Sequence, residues 1–274
     1  MKPNKKDKTQ KILEEYTKSA EFYNSRYKSI QIVKYSLLLP KLISNSDKIL
    51  FNSPFLDYGG GTGLLLKFIF SIYNYLDFKP LIQQNPDDTF KDEEIVHFER
   101  FCKFLTTIKT KQIGNYLFPS ILLCDLSRKM LIECKKYIKN TNLTHLQEKF
   151  CGLVECNGEN LPFRDKSFRT ITSFTVLQNL NTIERGIEEI ARISKNKSTI
   201  GISILKKWGD KMKFIELLKP FFQNIRSVFV NDDLKDEFLS VIKSLKNKNI
   251  AFFDTQILKD IEKTEDNFFY ILKN

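Results

Sequence analysis

The feature that most restricts how this chain can fold is a glycine cluster directly after a short apolar segment. Four of the ten glycines in the 274 residues lie within five positions. They are Gly59, Gly60, Gly61 and Gly63. The apolar residues 55–58 before the cluster predict a β-strand, and the apolar run 64–75 after it predicts a helix. Glycine permits a positive φ and a close approach of ligand to backbone, so this succession predicts a ligand site at a helix N-terminus.

The spacing of the glycines excludes two common nucleotide-binding loops. A dinucleotide turn requires glycines at i, i+2 and i+5, but counting from Gly59 places Leu64 at the third position. A nucleoside triphosphate loop ends in Gly-Lys followed by Ser or Thr, and that sequence is absent here. The pattern that remains is Asp-x-Gly-x-Gly-x-Gly, with Asp57 closing the strand. A tight strand-to-helix turn without a ligand is the alternative.

The rest of the chain alternates strand-like and helix-like segments. Strands are predicted at 55–58, 120–124, 153–156, 168–175, 199–205, 225–230 and 268–272. Helices are predicted at 9–43 (with a second run beginning at Gln31), 64–75, 127–140, 182–193, 211–218 and 234–245. Strands that alternate with helices predict an α/β fold, Rossmann-like and doubly wound, with a mostly parallel sheet covered on both faces.

No internal repeat or low-complexity linker divides the chain, which predicts one α/β domain at 46–274. The sequence runs 64 residues from Gly61 to Asp125, whereas a compact βαβ unit reaches its acidic residue after about 20. The excess predicts a helical insertion at 77–117. This insertion either walls the substrate site or binds a partner, or it simply covers the sheet.

The segment Leu56–Gly63 resembles the first motif of the class I S-adenosylmethionine-dependent methyltransferases, in the methyltransferase type 11 group that includes the ubiquinone and menaquinone methylases. The resemblance implies a seven-stranded sheet whose last strand is antiparallel, and S-adenosyl-L-methionine as cofactor. It places the backbone of Gly59, Gly61 and Gly63 against the methionine end of the cofactor. Asp57 then helps to hold the cofactor's amino group.

Asp125 and Leu126 carry a second match, at the end of the strand predicted at 120–124. The resemblance assigns Asp125 to the ribose hydroxyls of the cofactor and Leu126 to an apolar contact with adenine. A carboxylate can accept hydrogen bonds from both hydroxyls of a diol, so the chemistry agrees. The alternative is that Asp125 only marks the start of a helix.

The loop Cys156–Phe163 carries a third match. In the family an Asp of this loop accepts a hydrogen bond from the adenine amino group, and Asn157 stands at that position here. An Asn oxygen can accept the same bond without the charge, and Glu159 is close enough to share the role. The resemblance also places Gly158 and Phe174 in the cofactor site. A turn built around Leu161-Pro162 is the alternative.

Residues 1–45 are predicted to form an N-terminal helical lid, because they resemble the helices that precede the core in this family. Tyr27 and Gln31 are i, i+4 neighbours on one helix face, and the resemblance places Tyr27 over the cofactor. Ordinary helix packing is the alternative. No catalytic residue is identified, since Gln178-Asn179 stand where many relatives carry a histidine or an acidic residue.

The basic surplus bears on the acceptor of the methyl group. The formal charge is +11, and the 44 basic residues comprise 36 Lys and only 8 Arg. Arg supplies the bidentate contacts to phosphate that nucleic-acid recognition favours. A small-molecule acceptor is therefore the leading prediction, a tRNA or other RNA acceptor the second, and a non-catalytic cofactor-binding or scaffold protein the third.

The cysteines and histidines predict no metal site. The five cysteines form no C-x-x-C pair, and only two histidines are present. Free thiols, the absence of a signal-like N-terminus and the absence of a long apolar run predict a cytoplasmic protein without a membrane span. The sequence predicts no particular oligomeric state.

Overall fold

The computed structural model describes residues 8–43, 51–77, 119–140, 150–205, 211–228 and 266–273. Apart from Asp77, the predicted insertion at 77–117 lies outside the described residues, as does the predicted helix at 234–245.

The described residues form six α-helices, seven β-strands and short 3₁₀ turns. The helices are α1 (Lys8–Ser19), α2 (Tyr23–Leu38), α3 (Leu64–Asp77), α4 (Arg128–Asn140), α5 (Ile183–Ile193) and α6 (Lys211–Leu218). The strands are β1 (Phe55–Tyr58), β2 (Ile121–Asp125), β3 (Phe150–Glu155), β4 (Phe168–Phe174), β5 (Ser194–Leu205), β6 (Asn224–Val228) and β7 (Asp266–Lys273). The 3₁₀ turns are Ala20–Phe22, Leu39–Leu42 and Leu177–Asn179.

The strands form a single sheet in the order β3-β2-β1-β4-β5-β7-β6. β1 to β5 are parallel to one another, with Phe55 of β1 aligned to Ile121 of β2 and to Thr170 of β4. β7 pairs antiparallel with both β5 and β6. The predicted Rossmann-like, mostly parallel sheet with N-terminal helices is confirmed. Because the five parallel strands run the same way, their carboxyl ends meet at one edge of the sheet.

The side chains of β1 show why the sheet is covered on both faces. All four residues of β1 are buried. Phe55 packs into a core cluster with α2, α3 and α4, whereas Leu56 packs into a second cluster with α5 and α6. Because successive residues of a strand point to opposite faces of the sheet, a strand that is buried on both faces has a mostly apolar sequence without polar alternation.

The helical region 9–43 and the start of β5 differ from the sequence-based expectation. The helical region 9–43 breaks at the 3₁₀ turn Ala20–Phe22, and α2 then continues through Gln31 because the first proline of this region is at position 40. β5 begins at Ser194 rather than at 199, since a register shift in its pairing with β4 accommodates extra residues. Lys197 adopts a φ of 59° there. The polar run at 195–197 lacks the alternation from which a strand is predicted.

The loop between β3 and β4 is fixed by Arg192 near the end of α5. The guanidinium donates to the carbonyl oxygens of Leu161 (3.0 Å) and Phe163 (2.7 Å). It also forms ion pairs with Asp165 (2.8 Å) and Glu189 (2.7 Å). Planar guanidinium groups hold several acceptors in fixed geometry, so this network sets the position of the chain that follows Gly158.

Candidate active site

A cavity of about 340 Å³ lies at the carboxyl edge of the parallel strands. Residues at or just after the ends of β1 to β5 line one side, and residues of α1 and α2 line the other. Eight of the predicted cofactor residues lie on this cavity: Tyr27, Gly59, Gly61, Asp125, Leu126, Asn157, Gly158 and Phe174. The structure thus brings together residues from four strand ends and one helix. Three other predicted residues, Asp57, Gly63 and Glu159, are not among the residues that line it.

The glycine turn is held by hydrogen bonds to the end of β2. The backbone N–H groups of Gly59 and Gly60 both donate to the carbonyl oxygen of Cys124, at 2.8 and 3.0 Å. Gly59 has a φ of +71°, and a Cβ at that position would lie 2.4 Å from Cγ2 of Val176. Gly61 has a φ of +53°. Side chains would therefore be strained in this turn, and the glycines leave its backbone open toward the cavity.

Asp125 joins the glycine turn to the start of α4. Its Oδ2 accepts from the N–H of Gly61 at 2.9 Å, and its Oδ1 accepts from the N–H of Ser127 at 2.8 Å. Burial raises the pKa of this carboxyl to about 6, although backbone hydrogen bonds counteract the rise. Each carboxylate oxygen has a second lone pair, so Asp125 can still accept hydrogen bonds from a ligand while it holds the turn.

Asp57 lies beneath the glycine turn. It is 3% exposed, and its Oδ1 accepts from the Thr172 hydroxyl at 3.1 Å. Its Oδ2 has no hydrogen-bond partner among the described residues. Burial raises the pKa of Asp57 to about 7 against the lowering by Thr172, and the nearby charge of Asp125 adds to the rise. Gly60 is required here, since a Cβ on it would lie 2.5 Å from Oδ2 of Asp57, a role that the glycine pattern alone does not reveal.

The loop after β3 separates Asn157 from Glu159. Asn157 lines the cavity, and its Oδ1 accepts from the N–H of Glu159 at 2.9 Å. The Glu159 carboxylate instead accepts from the N–H of Thr182, the residue that precedes α5. An anion at a helix N-terminus is stabilised by unpaired backbone N–H groups, which explains this placement. The Glu159 carboxylate therefore lies at the start of α5, whereas Asn157 lines the cavity.

The N-terminal helices form the wall opposite the sheet. Tyr16, Tyr23 and Tyr27 all line the cavity, with ring centroids 6.0 Å apart for the first pair and 4.8 Å for the second. α1 is attached to the loop after β4, because Lys8 donates to the carbonyl oxygens of Gln178 (2.6 Å) and Leu180 (3.0 Å). Tyr16 and Tyr23 were not predicted as site residues, although their spacing from Tyr27 places them near one side of the helices.

A second polar cluster lies around Thr175, just after β4. Thr175 adopts a φ of 60°, which is unusual for a branched side chain. Its carbonyl oxygen accepts from Gln178 Nε2 at 2.8 Å and from Asn179 Nδ2 at 3.2 Å. Its hydroxyl accepts from Nζ of Lys34, which is only 3% exposed, at 3.0 Å. This cluster was not predicted from the sequence, which singled out only Gln178-Asn179 as a place near the substrate.

Cysteines and acidic groups of the described residues form no metal site. No group of three or more His, Cys, Asp or Glu side chains in the described ranges is placed to hold a metal ion. Cys124, Cys134 and Cys156 are free thiols, and the hydrogen bond with Cys124 lowers the pKa of Cys156. None of the helices in the described ranges combines the length and apolar character that crossing a membrane requires.

Several solved structures resemble this fold at low sequence identity. The complex of the Haloferax volcanii Trm112 methyltransferase activator with a putative methyltransferase is 13% identical, covers 95% of this chain and 98% of its own, and has a TM-score of 0.48. Geranyl diphosphate C-methyltransferase from Streptomyces coelicolor is 10% identical and has a TM-score of 0.44. That match covers 94% of this chain and 82% of the Streptomyces chain. Haemonchus contortus phosphoethanolamine N-methyltransferase 2 is 14% identical with a TM-score of 0.42. The match covers 80% of this chain but spans only 48% of the Haemonchus chain.

The family comparison is confined to the middle of the chain. No curated protein matches the sequence. The family described as "Methyltransferase domain" matches residues 106–202, a segment that includes β2, β3 and β4 with their site residues and most of β5. The glycine turn and the N-terminal helices lie before this segment. Residues 106–202 match this family, so this segment of the chain is a methyltransferase domain of the S-adenosylmethionine-dependent class.

Proposed function

We propose that this chain transfers a methyl group from S-adenosyl-L-methionine to a small-molecule acceptor. The observation that carries the proposal is the convergence of the glycine turn, Asp125 and Asn157 on one cavity that the N-terminal helices also line. Three tyrosines of the N-terminal helices line this cavity, and their rings would suit a small acceptor bound beside the cofactor.

The residues on the cavity fit the polar groups of the cofactor. Asp125 can accept from the two ribose hydroxyls, and Asn157 can accept from the adenine amino group. The unpartnered Oδ2 of Asp57 lies behind the turn that would face the cofactor's amino group. A buried unpaired carboxylate oxygen is costly, so it favours a ligand that supplies positive charge nearby.

The cofactor supplies an activated methyl group when bound, so the protein's own contribution is chiefly positional. The residues of α1 and α2 would exclude water and align the acceptor in line with the donor. We infer that residues 1–45 act as a lid, with Tyr27 over the cofactor. If this is so, replacing Tyr27 by Ala weakens cofactor binding and slows turnover; unchanged values for both would reject the lid.

Calorimetric titration with S-adenosylhomocysteine tests the cofactor assignment. Asp125→Asn should weaken binding about tenfold to a hundredfold, because hydrogen bonds to charged groups are worth about 1.5–3 kcal/mol. The matched control is Glu155→Gln, which removes the exposed carboxylate aligned with Asp125 on the neighbouring strand. Circular dichroism shows whether each variant is folded. No binding by the wild-type chain would reject the proposal.

Incubation with methyl-labelled cofactor and extract fractions tests the acceptor class. Label in the small-molecule fraction supports the proposal. Label in a macromolecular fraction that ribonuclease releases would instead support RNA, the acceptor that the charge of +11 favours. Cofactor binding without transfer to any fraction would support the non-catalytic alternative.

A further inference from the structure

Two buried amide oxygens on the cavity have no hydrogen-bond donor among the described residues. They are Oε1 of Gln31 and Oε1 of Gln178. Both side chains line the cavity, and the two residues are 6% and 5% exposed. A buried acceptor left unpaired costs about 1–3 kcal/mol, so each oxygen is a place where a ligand donor would be favoured.

The orientation of both amides is fixed by their nitrogens. Nε2 of Gln178 donates to the carbonyl oxygen of Thr175 at 2.8 Å. A carbonyl can only accept, so the amide cannot be turned around without losing this bond. Burial raises the pKa of Tyr23, and a side-chain hydrogen bond from Gln31 counteracts part of the rise. Since Oε1 of Gln31 has no partner, Nε2 must donate that bond.

The two oxygens belong to the half of the cavity that the cofactor assignment leaves open. Apart from Tyr27 and Phe174, the predicted cofactor residues on the cavity follow β1, β2 and β3, at one end of the strand order. Gln178 follows β4 and contacts Thr175, while Gln31 lies one turn before Lys34, whose ammonium contacts the same Thr175. Cavity residues on this side also include Leu205 at the end of β5.

The surroundings restrict what kind of donor can bind there. The tyrosine wall, formed by Tyr16 and Tyr23, offers flat apolar faces to a ring or an unsaturated group. The ammonium of Lys34 makes a second positive charge in this half unfavourable. Two unpaired acceptors on different elements, α2 and the loop after β4, favour a ligand that carries at least two donor hydrogen atoms.

We infer that the methyl acceptor is an uncharged amine whose N–H groups are bound by Oε1 of Gln31 and Oε1 of Gln178. The amine lone pair would bond to the methyl carbon as the C–S bond of the donor breaks, and the resulting ammonium would release one N–H proton to solvent. The inference rests on the proposed function, which it narrows to nitrogen-bearing acceptors. Gln31 and Gln178 are specificity-determining residues in this assignment, and the tyrosine wall binds the body of the acceptor.

The test uses two uncharged probe pairs that differ only in their N–H groups. They are aniline with N,N-dimethylaniline, and benzamide with N,N-dimethylbenzamide, with phenol as the O–H probe. The full chain is first saturated with S-adenosylhomocysteine, and probe dissociation constants are measured by ligand-observed NMR. Wild type should bind each N–H member about tenfold more tightly than its dimethylated partner, since each lost partner leaves a buried acceptor unpaired.

Variants show whether the two glutamines carry this preference. Gln31→Met and Gln178→Met retain chain length without the acceptor oxygen, and each should reduce the preference severalfold. Gln10→Met, on the exposed side of α1 and away from the cavity lining, is the matched control and should keep it. Thermal unfolding of each variant separates lost recognition from lost structure, because a structural role alone would weaken both members of a pair equally.

The possible results distinguish failure of this inference from failure of the proposed function. Equal binding of both members, absence of N–H probe binding, a retained preference in both methionine variants, or tighter binding of phenol than aniline would each overturn the inference while S-adenosylhomocysteine still binds. Failure of S-adenosylhomocysteine to bind at all would instead overturn the proposed function.

Discussion

Replacing Asp57 by Asn should stabilise the protein at alkaline pH, because this carboxyl group is buried without full compensation. Asp57 is 3% exposed, and burial raises its pKa to about 7 from an ordinary value of 3.8. Each step of one in pKa corresponds to ~1.4 kcal/mol. Holding Asp57 ionised in the folded chain at pH 8 therefore costs on the order of 4 kcal/mol, an upper estimate for a group this deeply buried.

The sign of the pH dependence follows from the raised pKa. The protonated carboxyl is the form that the folded state favours, so its stabilising contribution is complete below pH 3.8 and is lost as the pH rises through 7. Asp57→Asn keeps the shape and stays neutral. The free energy of unfolding should thus rise by up to about 4 kcal/mol at pH 8, and by less at pH 5.

Urea unfolding at pH 8 and pH 5, followed by circular dichroism, measures this difference. Glu188→Gln, which removes an exposed carboxylate of α5, is the control and should change the free energy of unfolding little at either pH. Equal stability of wild type and Asp57→Asn at pH 8, or a larger gain at pH 5 than at pH 8, would refute the reasoning.

The Asp57→Asn variant also tests whether the buried charge of Asp57 contributes to cofactor binding. If Asp57 attracts the amino group of the cofactor through the glycine turn, Asp57→Asn should bind S-adenosylhomocysteine more weakly at pH 8 although it is more stable. Such an opposition between stability and binding is common where a site holds a group in an unfavourable environment. A gain in stability without a loss of affinity for S-adenosylhomocysteine would show that Asp57 does not contribute to cofactor binding.

Three further predictions address the turn, the site and the loop. Gly63→Ala should lower the free energy of unfolding by about 2–4 kcal/mol in urea titration, since φ is +76° and the new Cβ would lie 2.4 Å from Sγ of Cys134. Gly61→Ala, with open space at its Cβ, should cost about 1 kcal/mol; equal costs would contradict the packing argument. Affinity for S-adenosylhomocysteine should fall as the pH drops through about 6, the pKa of Asp125, because protonation removes an acceptor; a flat calorimetric profile from pH 5 to 7 would count against this role. Arg192→Ala should lower thermal stability by about 2 kcal/mol by freeing the loop after β3, and an unchanged melting temperature would show that the network is dispensable.

Features set by neighbouring residues could be predicted from the sequence. The strand, glycine turn and helix at 55–75 follow from local periodicity and from the special backbone of glycine. Asp125 and Asn157 could be grouped with the turn because the ends of parallel strands share an edge. Glu159 could not be placed correctly, since the backbone N–H of Thr182, 23 residues along the chain, is its partner.

The acceptor half of the cavity depends on contacts that no local pattern encodes. Lys34 meets Thr175 across 141 residues, and Lys8 meets the carbonyl of Gln178 across 170. Whether a glutamine oxygen is buried and unpartnered is likewise a property of tertiary packing, so Gln31 and Gln178 look unremarkable in the sequence. Only the position of Gln178 after a predicted strand indicated nearness to a substrate.

The family comparison covers only part of the predicted site. Residues 106–202 cover the ends of β2, β3 and β4, where the predicted ribose and adenine contacts lie. The tyrosine wall, Gln31 and Lys34 come from residues 8–43, outside that segment. A methyl donor is the same molecule for every enzyme that uses it, so its contacts can follow a shared pattern, whereas an acceptor must be recognised by side chains particular to one chain. The acceptor is therefore to be sought through side chains of α1 and α2 that line the cavity and lie outside the matched segment.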